Sequence, residues 1–313
     1  NKRSLNGFTG FVVKAEREGR LLDARSLTGP AETPLMGERP QGVNSGHIGY
    51  GFGPTDRTLA GWPHFQSVCF EGSFPMARLK FRDSRFPGKA EMTAFNPLIP
   101  MNAGDSSLPA AFFSFALTNT TEQEADYTVC CFCGSPFPIG SSVHEHAGGD
   151  FQRIMISGKD ERDALKTGNM TIASSGGEGS WQEYWYRGGW QDGVEMFWED
   201  FKRPGGFSNR HYETPSVPLQ KAPDTADLAE TVRLRPGETK TLRFLISWSF
   251  PRMYNFWNPE PDGKRTWWKN WYAVRFSDSA ASARYCMENW DRLEGMTRLF
   301  TRTLHASTLP APV

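Results

Sequence analysis

Thiols, carboxylates and clustered aromatic rings are the groups in this sequence that could do chemistry. The five cysteines are Cys69, Cys130, Cys131, Cys133 and Cys286. An odd number, with three inside YTVCCFC, does not read as an extracellular disulfide framework. Cys131 and Cys133 together with His144 and His146 offer four soft ligands. Their spacing differs from the usual zinc site, whose ligand pairs are two to five residues apart and separated by a turn. A strand through YTVCCFC would put Cys131 and Cys133 on one face and Cys130 on the other. Small thiols packed in a sheet core are the simpler reading, so no metal and no cofactor is expected. Glu183, Asp192, Glu195, Glu199 and Asp200 lie close together among aromatics and are the best internal candidates for a paired acid and base. Solvated charges on a strand face are the plainer account of them.

The aromatic residues are the most unusual feature. Phe, Trp and Tyr make up 13% of the chain, with 11 Trp and 23 Phe, although the mean hydropathy is −0.54. Two clusters stand out. WQEYWYRGGWQDG holds Trp181, Tyr184, Trp185, Tyr186 and Trp190 around a Gly-Gly turn. FPRMYNFWNPEPDGKRTWWKNWY holds Tyr254, Phe256, Trp257, Trp267, Trp268, Trp271 and Tyr272 in a Pro- and Asn-rich stretch. Such rings can stack on the apolar face of a pyranose, anchor a domain interface, or pack in a core. All three uses stay open for both clusters. The second cluster leads directly into a terminal helix pattern, which favours an interface.

Charge excludes several partners. The chain balances 35 Lys and Arg against 35 Asp and Glu and has no basic run, so nothing is provided to neutralise a nucleic-acid backbone. No apolar stretch approaches the ~18 residues of a membrane span, and the first residues carry no signal-peptide core. The clustered thiols point to a reducing, cytoplasmic compartment.

The elements that must position these groups read as strands and turns. AAFFSFALTN (110–119), YTVCCFC (127–133) and TLRFLISWSF (241–250) are β-branched and Phe-rich runs between turn residues. GFVVKA (10–15), MARLKFRD (76–83), AEMTAFNP (90–97), FQRIMISG (151–158) and VEMFWED (194–200) are further expected strands. Val232 and Leu234 before Pro236-Gly237, then Leu242, Phe244, Ile246 and Trp248, predict a hairpin with Pro-Gly at its tip. With 31 Gly and 22 Pro punctuating the runs, a large antiparallel all-β sandwich is expected. No strand–helix–strand alternation suggests a parallel sheet. GHIGYGFG (46–53) and GGEGS (176–180) read as loops, since neither has the strand-to-helix setting of a phosphate cradle. Asn119 and Asn169 each open an N-x-T triplet, equally well read as chance or as a glycosylation site.

From Ser277 the pattern changes. Cys286, Trp290, Leu293, Thr297, Phe300 and Leu304 recur at alternating steps of four and three, the stripe of an α-helix about 25 residues long. Ser277 is the expected N-cap, and the Pro-containing end reads as a linker. The expected division is a sandwich over 1–276 and a helix with linker over 277–313. Either the sandwich or another domain must bury the stripe.

The stretch CFEGSFPMARLKFRDSRFPGKAEMTAFNPLIPMNAGDSSLPAAFFSFALTN (69–119) is specific. It resembles the N-terminal β-sandwich of glycoside hydrolase family 116, which includes the non-lysosomal glucosylceramidases and bacterial β-glucosidases. GFVVKAEREGRLLDARSL (10–27) is similar to the strand pair near the family's start, and LRPGETKTLRFLISWSFP (234–251) to its late hairpin. WYAVRFSDSAASARYCMEN and LFTRTLHASTLP (within 271–310) are similar to its exit helix.

The resemblance implies a retaining β-glucosidase or glucosylceramidase whose catalytic carboxylates belong to a C-terminal (α/α)6 domain. That barrel would begin where this sequence stops, so no catalytic residue is assigned here. A retaining pair stands about 5–5.5 Å apart in a sugar-sized cleft. The implied partners are the catalytic (α/α)6 domain or subunit and, through it, a β-glucoside or glucosylceramide-like substrate. The implied role is to brace that barrel and shape one rim of its sugar pocket. The alternative is a free-standing carbohydrate-binding sandwich. Trp181, Tyr184, Trp185, Trp190, Trp257, Trp267, Trp268 and Trp271 are the candidate contact residues.

Overall fold

A computed structural model describes residues 9–30 and 61–308, apart from 162, 190, 191, 256, 258, 259 and 265. The GHIGYGFG segment, Trp190 and Phe256 lie outside the described residues.

Two antiparallel sheets face each other. The smaller contains β1 (Thr9–Arg17), β2 (Arg20–Ser26), β7 (Ala125–Gly134), β11 (Glu178–Gln182) and β12 (Thr225–Leu234), in the order β11-β12-β7-β1-β2. The larger contains β3 (Ser67–Ser73), β4 (Met76–Arg82), β5 (Gly88–Phe95), β6 (Ala110–Asn119), β8 (Ser142–Ala147), β9 (Gln152–Asp160), β10 (Asp163–Ser175) and β13 (Thr239–Ser249). Its order is β3-β4-β5-β6-β13-β10-β9-β8. A separate two-stranded ribbon pairs β14 (Arg252–Tyr254) with β15 (Trp267–Lys269). The expected all-β sandwich is the observed fold.

Each sheet is covered on its outer face as well. The main core between the sheets takes Val13, Tyr127, Val129 and Cys131 from the small sheet and Phe115, Leu117, Leu242 and Phe244 from the large one. Their alternate neighbours face outward. Val12, Cys130, Phe132 and Ala229 pack under helix α2 (Asp192–Lys202), while Phe112, Ala173 and Leu245 pack under α4 (Ser279–Glu288) and α5 (Trp290–His305). YTVCCFC is therefore buried without a break, its one short polar residue, Thr128, sharing a hydrogen bond with Thr231, because β7 is covered on both faces. The thiols divide as the pleat requires, with Cys131 and Cys133 inward and Cys130 outward. Burial pushes Cys130 and Cys131 well above the ordinary thiol range and Cys133 to about 11, which keeps them protonated and unreactive.

The structure corrects four local expectations. VEMFWED is not a strand: Val194, Phe197, Trp198 and Phe201 are the buried side of α2. Val194, Met196 and Trp198 imitate a period of two, but Phe197 and Phe201 complete a helical face instead. The Pro236-Gly237 turn is not a hairpin tip. Glu238 N does donate to Arg235 O at 3.0 Å and Gly237 has φ 76°, yet β12 pairs with β7 while β13 pairs with β6 and β10. The turn carries the chain from one sheet to the other, as does the β6–β7 connection beside it. Asn119 joins the two crossings: its Nδ2 donates to Gln123 O and Leu234 O, and its Oδ1 accepts from Tyr127 and Thr121. With the residue fully buried, its N-x-T triplet is a structural corner. Asn169 is engaged too, accepting from Ser279 N at 2.7 Å.

GGEGS is only half a turn. Gly176 adopts φ 112°, Gly177 N donates to Glu230, and β11 begins at Glu178. The terminal helix is two helices, broken at Asn289 and capped by Asp278, whose carboxylate accepts from Ala281 N at 2.8 Å, rather than by Ser277. Cys286, Trp290, Leu293 and Thr297 are buried on the large sheet, but Leu304 is 46% exposed. The fold therefore buries the stripe as far as Thr297; Phe300 is half-buried, and Thr301 beside it is the last buried residue of α5.

Candidate functional site

Residues 181–186 belong largely to the fold. Trp185 follows β11 and lies between Phe132 and the α2 residue Phe197, whose ring stacks on it at 4.1 Å. Its Nε1 donates to Asp227 Oδ2 at 2.7 Å. Burial pushes the Asp227 carboxyl well above its ordinary range despite that bond and one from Gln182 N. Tyr184 is equally enclosed, stacked on His144 at 4.5 Å, with its hydroxyl accepting from His144 N. His144 Nδ1 donates to Glu183 O at 2.6 Å. Trp181 stacks on His146 at 3.6 Å, and Tyr186 is 45% exposed. The two imidazoles are thus committed to aromatic stacks. Among the described residues, no group of three or more His, Cys, Asp and Glu could hold a metal ion.

The nearby carboxylates hold the segment 203–214 to the small sheet. Glu183 accepts from His146 N, Asn209 Nδ2 and His211 Nδ1, and Asp200 pairs with Arg203 and Arg210. Asp192 accepts from Gly189 N, and Glu199 pairs with Lys202. Arg187 makes a buried two-point pair with Asp224 at 2.7 and 2.9 Å, with its guanidinium over Tyr212. From β1, Lys14 donates to Arg203 O and Gly205 O just past the end of α2. Burial lowers the Lys14 pKa, with Glu16 at 3.2 Å opposing.

The second aromatic cluster stands in solvent. Trp267 is 45% exposed, Trp268 53%, Trp271 63% and Trp257 92%. β14 and β15 hold the first two on the ribbon, where Trp267 meets Tyr254 at 4.1 Å. The ribbon base is fixed by Asn270 Nδ2 and Tyr272 OH, both donating to Phe250 O. Trp271 then opens the short helix α3 (Tyr272–Arg275), and exposed Val274 follows one turn later. Exposed Met253 and Val274 extend the apolar surface, Met253 without any sequence signal of its own. Spacing alone could have flagged Val274, three residues after Trp271.

Behind α3, helix α1 (Ala103–Ser106) and the exit helices meet at Asp105. This buried carboxylate accepts from Tyr285 OH at 2.7 Å, Arg292 Nη1 at 2.7 Å and Asn102 Nδ2 at 2.8 Å, with Arg275 at 3.6 Å. Burial pushes its pKa up, but these bonds outweigh burial and hold it below the usual carboxylate range. The sandwich, α3 and the two exit helices are fastened at one point.

A family profile described as beta-glucosidase 2, glycosyl-hydrolase family 116 N-term matches residues 9–293. The chain belongs to this family. The match runs from β1 into the first turn of α5, so both sheets, the ribbon and the Asp105 junction are parts of the family 116 N-terminal unit. No curated protein matches the chain. Among solved structures, a polysaccharide lyase is 8% identical at a TM-score of 0.38, covering 78% of this chain and 26% of the lyase. A protein named as a kojibiose phosphorylase from human microbiome is 10% identical at a TM-score of 0.31, covering 58% of this chain and 20% of its own. The chain spans about a quarter of one and a fifth of the other, and likenesses this distant carry no argument about activity. Among the described residues, no helix of the family 116 unit is long and apolar enough to cross a membrane.

Proposed function

We propose that this chain is the non-catalytic sandwich of a family 116 retaining β-glucosidase or glucosylceramidase and that it braces the catalytic domain through the ribbon and α3. One observation carries the reading: four tryptophans of one short segment are 45–92% exposed on a family 116 N-terminal unit. Exposed indoles with Met253 and Val274 beside them are the composition of an interface centre. Exposed Arg252 in the same segment supplies a polar contact beside them. The substrate, a β-glucoside or glucosylceramide-like lipid, is met by the partner's carboxylates, with this domain at the rim of the pocket. Five unpaired thiols support a reducing, cytoplasmic setting.

Mixing the purified chain with separately produced catalytic domain tests the reading. Hydrolysis of an aryl β-glucoside should come only from the catalytic domain, and the two should co-elute. Trp268→Ala with Trp271→Ala should abolish co-elution. Saturable oligosaccharide binding at Trp257, Trp267 and Trp268, with no catalytic-domain association, would instead establish the sandwich as a carbohydrate-binding module.

A further inference from the structure

Met101 is the one described non-glycine residue outside the β1–β2 turn with a left-handed backbone, at φ 64°. An unbranched apolar side chain gains nothing from that conformation, which glycine or asparagine adopts more readily. Its side chain is also fully exposed, at 104% of the reference area, so the fold does not use it for packing. A strained backbone beneath an idle apolar side chain calls for a role outside this chain.

The turn that presents Met101 is held from both sides. Asn102 N donates to Ile99 O at 3.0 Å, and Ser106 Oγ both donates to Ile99 O and accepts from Ile99 N. Asn102 Oδ1 accepts from Asp105 N, and Asp105 is bound in turn by Arg292 and Tyr285 of the exit helices. The turn is therefore rigid before any partner arrives, which removes the ordering cost of binding. Its place is also defined. Arg275 Nη1 donates to Gly104 O at 2.6 Å, which sets the turn beside α3 and exposed Trp271 and Val274.

We propose that Met101 is a preformed anchor that inserts into an apolar pocket on the catalytic domain, extending the contact surface of the ribbon and α3 across the LIPMNAGD turn. The inference rests on the docking role proposed above and names a residue which that role does not require. Methionine suits such a task because its flexible thioether fills an irregular pocket.

Met101→Gly separates this function from folding, because glycine relieves the backbone while deleting the anchor. Its thermal midpoint should equal or exceed that of the original chain, and its affinity for the separately produced catalytic domain should fall at least tenfold. Met101→Leu should recover most of that affinity. If Met101→Gly binds as tightly as the original chain while Trp271→Ala binds weakly, the anchor is refuted and the docking surface stands. If Trp271→Ala also binds normally, or the original chain does not bind, the docking role itself fails. A fall in thermal midpoint for Met101→Gly would show that the side chain serves the fold, and would overturn the inference as well.

Discussion

Trp185 and Trp268 carry the same indole, yet one donates to a buried carboxyl beneath a helix and the other stands half in solvent on a two-stranded ribbon. Their segments are equally aromatic. They differ in what lies opposite: Tyr184 and Trp185 are enclosed beside α2 and the 203–214 segment, whereas Trp267, Trp268, Trp271 and Val274 stand exposed among the described residues. Aromatic density therefore locates ring-rich surfaces without saying whether the fold itself consumes them. The polar partner of each ring is the better guide, since a buried N–H must be bonded.

The sharpest test of this contrast is truncation of the rings. Trp185→Ala removes the stack on Phe197 and one of the two hydrogen bonds to buried Asp227, so urea unfolding should show a loss of about 3–5 kcal/mol. Trp290→Ala, under the large sheet, should cost about as much. Either variant unfolding like the original chain would mean that the closed side is not closed. Arg187→Ala comes next, because it leaves Asp224 buried without its cation, and a loss near 3 kcal/mol is expected at neutral pH.

A smaller effect tests the carboxyl group buried between the sheets. Glu230 lies in the main core, bonded to Ser174 Oγ and Gly177 N, and burial raises its pKa above the ordinary value. The folded state then holds a proton that the unfolded chain releases above about pH 4.3. Its contribution is most favourable below that pH and declines as pH rises through the folded pKa. Glu230→Gln should flatten the decline, as read from thermal midpoints measured between pH 4 and 8; an unchanged slope would refute the assignment.

The smallest stability change belongs to the open side. Trp268→Ala should shift stability by no more than about 0.5 kcal/mol, as exposed substitutions do. A loss comparable to that of Trp185→Ala would erase the difference between the two regions.

Much of the fold was legible because strand periodicity is local. AAFFSFALTN is β6 to the residue, and the two-faced burial of β7 is written in the unbroken YTVCCFC. The failures share one cause. Whether Pro236-Gly237 closes a hairpin or turns a corner depends on which strands flank β12 and β13, and their pairings with β7 and β6 come from residues 91 to 137 positions away. Likewise, α2 imitates a strand in VEMFWED because one burial stripe can satisfy both periods over five residues. For the candidate site, composition found the ribbon tryptophans but could not separate them from Trp181, Tyr184 and Trp185. Met101 gave no signal at all, since its meaning lies in a φ angle and an exposure.

By itself, the sequence determined the class of fold, the alternation within each strand, the inert thiols and, through 69–119, the family. These follow from short-range pattern and side-chain chemistry. Only the tertiary structure decided which aromatic rings are spent on the core and which are left exposed. Burial is a property of what packs opposite a residue, and here the opposing layer comes from chain far away in sequence.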